Sequence, residues 1–124
     1  MNLKKLVLEN NSFRKVIDTG LNTQLVIMSI KPNDDIPKET HMNVDQFIYI
    51  VDGTANIIIN NKTHKLSNDD AIIIKAGETH QVINAEKRLL KLYTLYSPPE
   101  HAKYLEQIEK QTGGTIKIKI NYEI

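Results

Sequence analysis

Short β-branched runs, each closed by turn chemistry, constrain this chain more than any other feature. "TQLVIMSIK" (23–31) is bounded by Gly20 and Pro32, and "QFIYIV" (46–51) ends at Asp52-Gly53. "ANIIIN" (55–60) runs into Asn60-Asn61-Lys62 and returns as "THKL" (63–66), the pattern of a hairpin. "AIIIK" (71–75) stops at Ala76-Gly77, "HQVIN" (80–84) follows, and "LLKLYTLY" (89–96) ends at Pro98-Pro99. Runs this short, at this spacing, predict an all-β sandwich or barrel. "PEHAKYLEQIEKQTGG" departs from the pattern: Pro99 suits a first helical position, Ala102, Leu105 and Ile108 recur at helical spacing, and Gly113-Gly114 makes a stop. A short C-terminal helix over 99–112 is therefore expected. "TIKIKINYEI" (115–124) should follow as a closing strand, with Ile116, Ile118 and Ile120 on one face.

At 124 residues the chain suffices for one core, so a single domain over 1–124 is expected, its barrel occupying about 23–98. The basic and acidic side chains, 16 and 15, nearly cancel and are scattered. That balance gives no footprint for nucleic acid or for an anionic membrane. The absence of cysteine excludes a disulfide scaffold, a thiolate metal site and a Cys nucleophile. "MNLKKLVLENNSF" breaks at Glu9, too soon for a signal peptide, and no window approaches the roughly 20 apolar residues of a membrane helix. A cytoplasmic protein is the expectation.

Chemistry concentrates in two stretches. In an extended strand, side chains two apart share a face, so Glu39 and His41 of "ETHMNVDQFIYIVDG" point together, with Pro37 on the same side. Gln46 opens the next strand, and a hairpin through Met42-Asn43-Val44-Asp45 would return it beside His41. Some forty residues on, "KAGETHQVIN" sets His80 just after a Gly77 turn. Glu39, His41, Gln46 and His80 together offer a carboxylate, two imidazoles and an amide oxygen. That set suits iron(II), manganese, nickel or zinc better than calcium or magnesium. Gln46 can alternatively hydrogen-bond a metal-bound water.

Those residues carry a family resemblance. Glu39-x-His41-x4-Gln46-x6-Gly53 resembles the first motif of the cupin superfamily, usually two histidines, then a glutamate and a glycine. "KAGETHQVIN" resembles the second, P-x-G-x2-H-x3-N, with Gly77, His80 and Asn84 in place. "ETH…VDQF", "AG-x-x-H-x-V-x-N" and "LY-x-x-YSPPEH" are similar to the small single-domain cupins labelled mannose-6-phosphate isomerase-like. Glu39 stands where the first histidine usually is, Gln46 where the glutamate is, Lys75 replaces the proline, and Asp69 a leading glycine. Two histidines and a carboxylate survive, enough for a facial triad with open positions. The resemblance implies a double-stranded β-helix, or jelly-roll barrel, with a divalent transition metal between two antiparallel sheets, and a homodimer.

The remaining candidates divide between site and scaffold. Tyr96 shares a strand face with Leu92 and Thr94, and either reaches the cavity mouth as a catalytic hydroxyl or fills the core. His64 and His101 are expected at the surface, Asn84 in a backbone-bonding turn. Phe47 and Tyr49 alternate away from Gln46, to pack on another layer or a second subunit. The functional expectation is a metal-dependent enzyme on a small polar substrate (a sugar, sugar phosphate or carboxylic acid), isomerase-like or a dioxygenase, with Glu39 doubling as base. The alternative is a non-catalytic module that binds a small ligand. An open metal position would separate the two.

Overall fold

The computed structural model describes residues 1–110 and 118–120. A helix, α1 (Leu3–Glu9), precedes the strands β1 (Arg14–Thr19), β2 (Gln24–Ile30), β3 (Asp35–Thr40), β4 (Asp45–Asp52), β5 (Ala55–Ile59) and β6 (Lys62–Leu66). β7 (Ala71–Ile74), β8 (Thr79–Ile83), β9 (Leu90–Ser97), β10 (Leu105–Gln107) and β11 (Ile118–Ile120) follow. They form a seven-stranded sheet in the order β11-β10-β1-β2-β9-β4-β7 and a four-stranded sheet in the order β3-β8-β5-β6. Consecutive strands repeatedly enter opposite sheets, and every pairing is antiparallel, as a jelly roll requires. The expected β5–β6 hairpin forms across Asn60 and Asn61, both with positive φ, which asparagine tolerates.

Period-two alternation places the core. Val26, Met28 and Ile30 on β2, Ile48 and Ile50 on β4, and Leu92 on β9 point inward, where they meet Ile36, Ile57, Ile59 and Val82 from the smaller sheet. Each such side chain removed from water contributes about 1.5–3 kcal/mol against the entropy of ordering the chain. Toward one end of the same inward face the residues turn polar: Gln46, Thr94, Tyr96 and Gln24 are all buried. That change marks the end of the barrel where Tyr96 meets His41.

The outer face of the large sheet carries a second apolar cluster. Tyr49 and Tyr93, opposite each other on β4 and β9, stack at 5.0 Å and 16°. Leu3 and Val7 of α1 close over them together with Ile17, Ile27 and Val51. The layer expected for Tyr49 is thus the chain's own N-terminal helix. Asn2 caps it, its side-chain oxygen accepting the Lys5 N–H at 3.0 Å. At the other end the buried Lys91 ammonium donates to the Asn10 carbonyl and to Asn11 Oδ1. No helix among the described residues is long and apolar enough to cross a membrane.

The helix expected over 99–112 does not form over 99–110; residues 111 and 112 lie outside the described residues. Among the described residues the single helix is α1, near the other terminus. Long-range partners override the local periodicity: Arg14 and Lys15 pair with Gln107 and Glu106, which makes Leu105–Gln107 a strand. Gln24 takes the backbone of Glu100 and His101. Tyr104 has φ of 64°, incompatible with a continuing right-handed helix. Of the expected closing strand 115–124, β11 is described and pairs with β10; the Ile116 position lies outside the described residues.

Candidate metal centre

The centre is built first by the β3–β8 ladder, in which Glu39 stands directly opposite His80. A register shift between Ile36 and Glu39 turns both of them inward although they are three apart. Pro37 is consequently exposed rather than sharing the Glu39 face, as strict alternation would have it. His41 follows the end of β3, and its carbonyl accepts the Gly77 N–H at 2.8 Å. Asp45 Oδ1 accepts from Ala76 N at 2.9 Å. The turn before β8, where Gly77 has φ of 86°, is thereby fastened to the loop that carries His41.

One ligand atom from each of Glu39, His41 and His80 lies within 4.8 Å of the others. His41 Nε2 is 3.3 Å and His80 Nε2 3.7 Å from Glu39 Oε1, and the two rings are 5.4 Å apart. Ligand bonds of about 2.0–2.2 Å to one cation span such separations. The opposite ring nitrogens are already engaged. His80 Nδ1 faces the Glu78 carbonyl at 3.1 Å and His41 Nδ1 faces Glu100 Oε1 at 3.2 Å. A proton held on each Nδ1 leaves the Nε2 lone pairs directed at the shared space. Both Nε2 atoms are buried beside Glu39 Oε1 without a well-formed hydrogen bond, an arrangement that fits a cation.

Charge agrees with geometry. Burial pushes the Glu39 carboxyl up, but His80, His41 and Arg14 outweigh it and hold the group below the usual carboxylate range. Burial depresses His80, and the neighbouring Glu39 carboxylate with the Glu78 carbonyl more than restores it, to above the ordinary histidine value. The pocket thus favours one extra positive charge beside Glu39.

Gln46 reaches this space by another route than expected. β3 and β4 are not a hairpin: they lie in different sheets, and residues 41–44 cross from one to the other. Gln46 enters from the opposite wall, where its Nε2 donates to Thr94 Oγ1 at 3.1 Å and to the Tyr96 hydroxyl at 3.3 Å. Its Oε1 is left buried and unpartnered. Tyr96, opposite Gln46 in the register, is 1% exposed, its ring edge-on to His41 at 5.9 Å. Burial raises its hydroxyl well above the ordinary tyrosine value, so it stays protonated.

Two participants escape a reading by spacing. Glu100 and His101 belong to "YSPPEH", which carries part of the family resemblance but no strand register. His101, expected at the surface, is half-buried and T-stacked on Tyr96 at 4.9 Å, with Nε2 buried and unpartnered. Both residues are held by Gln24, which is fully buried. Its Oε1 accepts from Glu100 N at 3.2 Å and His101 N at 2.9 Å, and its Nε2 donates to the His101 carbonyl at 2.7 Å. Asn84 is a backbone bracket as expected, donating to the carbonyls of Ile30, Lys31 and Arg88.

Two measurements follow. Glu100→Ala should weaken metal binding about 10- to 100-fold in a chelator competition, since an orienting partner of a ligand histidine is worth that much. A change below twofold would detach Glu100 from the centre. Burial, and then the Arg14 charge, lower His101 from its ordinary 6.5 to about 4. Between those values the unfolded chain binds the extra proton, so stability rises with pH across the window and is lost as the pH falls through it. The loss is at most about 3 kcal/mol, less for the ring's partial exposure. Urea midpoints at pH 7 and pH 4.5 should differ more in the native protein than in His101→Phe; equal differences would contradict the assignment.

The Cupin domain family model matches residues 26–96. The chain belongs to the cupin family. An uncharacterized protein of Acanthamoeba polyphaga mimivirus is 41% identical over 121 residues, covering 93% of this cupin and 75% of the relative. A crystal structure of a Bacillus halodurans protein superposes with a TM-score of 0.80 at 31% identity, covering 94% of this chain and 85% of that one. Mannose-1-phosphate guanylyltransferase ManC of Salmonella typhimurium is 30% identical over 91 residues, which are 73% of this chain and 18% of that enzyme. Among these relatives it alone carries a mannose-phosphate name, weak support for the isomerase-like label.

Proposed function

We propose that this cupin is a metal-dependent enzyme acting on a small polar substrate, with Glu39, His41 and His80 as its metal ligands. The observation that carries the reading is the pair of buried, unpartnered Nε2 atoms facing Glu39, each ring fixed through its Nδ1. Three protein ligands leave coordination positions for substrate. A bound divalent ion (iron, manganese, zinc or nickel) would supply Lewis acidity toward a substrate oxygen, or redox chemistry if it is iron.

The chain's own groups do the rest. Glu100 keeps the His41 Nδ1 proton in place and so keeps Nε2 a donor of its lone pair. Glu39 balances part of the ion's charge and, beside the open positions, can take a proton from substrate. Gln46 Oε1 accepts from a substrate hydroxyl or bound water, and the protonated Tyr96 hydroxyl supplies a donor at the same wall. Isomerisation and dioxygen-dependent chemistry both suit this set. A homodimer in the cytoplasm completes the reading. The edge position of β7, with Ile73 59% exposed, supports the pairing.

The test is elemental analysis of protein purified without chelator or affinity nickel, followed by turnover assays with sugars, sugar phosphates and carboxylic acids. About one transition metal per chain, with turnover of one class, is expected. Metal without turnover would favour the small-ligand-binding module. A metal-free protein that neither gains metal on soaking nor changes its Tm would overturn the centre itself.

A further inference from the structure

A half-buried cation with no ion-pair partner among the described residues stands at the wall opposite the three proposed ligands. Arg14 lies on the inward face of β1, opposite Met28 on one side and Gln107 on the other. Its Nη1 donates to Gln107 Oε1 at 2.9 Å, a neutral partner, and its guanidinium stacks over the Phe13 ring at 5.2 Å. Nε is buried and bonds to nothing. Among the described residues, no carboxylate lies within ion-pair distance of Arg14. A charge partly removed from water in this way is better tolerated when an anion meets it. The neighbourhood is that of the centre: Arg14 acts on Glu39, on Tyr96 and on His101, whose unpartnered Nε2 adjoins the Tyr96 ring.

We infer that Arg14, assisted by His101, binds the carboxylate of a hydroxy-acid substrate whose hydroxyl reaches Gln46 and the metal. This rests on the proposed metal-dependent function and narrows its substrate class. The guanidinium edge is the shape that recognises a planar carboxylate. Counting charges favours a monoanion over a phosphate ester: Arg14 and a divalent ion against Glu39 and Glu100 leave one positive charge. The unpartnered acceptor, Gln46 Oε1, calls for a hydroxyl donor on the same molecule. A neutral sugar would leave Arg14 unpaired.

The experiment compares glycolate, its neutral amide glycolamide, and inorganic phosphate by calorimetry on metal-loaded and on chelator-treated protein. Glycolate should bind metal-loaded protein at least about 10-fold more tightly than glycolamide, and more tightly than phosphate. Arg14→Met should weaken glycolate about 10- to 100-fold and glycolamide by clearly less, so that the preference for the acid shrinks. Arg14→Lys, which keeps the charge but loses the fork, should fall between. Should Arg14→Met fail to fold, Arg14→Lys and the acid-to-amide ratio of the chelator-treated protein decide, because a bound divalent ion would by itself prefer the acid. Equal binding of acid and amide, tighter binding of phosphate, or full glycolate affinity in Arg14→Met would overturn the inference. If no metal is taken up, the proposed function fails, but an acid-over-amide preference lost in Arg14→Met would still uphold the anion site.

Discussion

His80→Ala should strip the protein of its metal, with affinity falling by more than about 100-fold, beyond what loss of an orienting partner alone would cost. His80 is the most enclosed of the three proposed ligands, 2% exposed, and stands opposite Glu39 in the ladder. Two effects separate cleanly. In chelator-treated protein the variant loses packing and its Glu78 contact, about 1–2 kcal/mol. In metal-loaded protein it also forfeits the linkage term, about 2.7 kcal/mol when metal is present at 100 times its Kd. Thermal unfolding with and without chelator reads both: the native protein's Tm should drop on chelation and the variant's should not move. A variant that still copurifies with metal at native stoichiometry would sink the ligand assignment.

Gln24→Leu should cost about 3 kcal/mol or more, unusually much for an exchange of similar volume. The amide is fully buried and spends both ends on the backbone of Glu100 and His101, with a further donation to Thr19 Oγ1 at 3.0 Å. Leucine would leave two N–H groups and a carbonyl without partners. The same change should release Glu100 from His41, so metal affinity should fall about as far as in Glu100→Ala, about 10- to 100-fold. Urea unfolding and chelator competition on one preparation would show the two losses together. A stable variant with native metal affinity would mean that the 98–104 segment is held by other contacts.

The strands were legible because they rest on short-range rules, and the centre's nucleus because two motifs, about forty residues apart, each carry its residues at a recognisable spacing. Period-two alternation with turn residues between runs marks strands, and Glu39, His41 and His80 sit at positions where those rules bring them to one end. What the rules missed depends on partners remote in sequence. Ala102, Leu105 and Ile108 satisfy a helical spacing, but pairing with Arg14 and Lys15 and the hold of Gln24 decide the outcome. α1 offers only Leu3 and Val7 to its cluster, and a helix of 7 residues gains its stability from the sheet it covers. The loop 41–44 is short enough for a hairpin, yet in a jelly roll it changes sheets. The bulge before Glu39 is a further local irregularity that alternation cannot foresee. Glu100 and His101 carried a pattern without a register, and so received no role.

The order of strands in the large sheet has a kinetic meaning. β2 and β4 both pair with β9, and β3 pairs with β8, so β3 and β4, which bear Glu39 and Gln46, wait for partners made much later in the chain. Closing such long loops before any contact rewards them places the protein among slow folders, on the scale of about milliseconds to seconds. Glu39 and His80 meet only when the β3–β8 ladder closes, and Glu100 arrives after β9 is seated. A nascent chain therefore has no assembled set of the proposed ligands, and on the proposed reading metal capture would be a late event that reports a completed barrel.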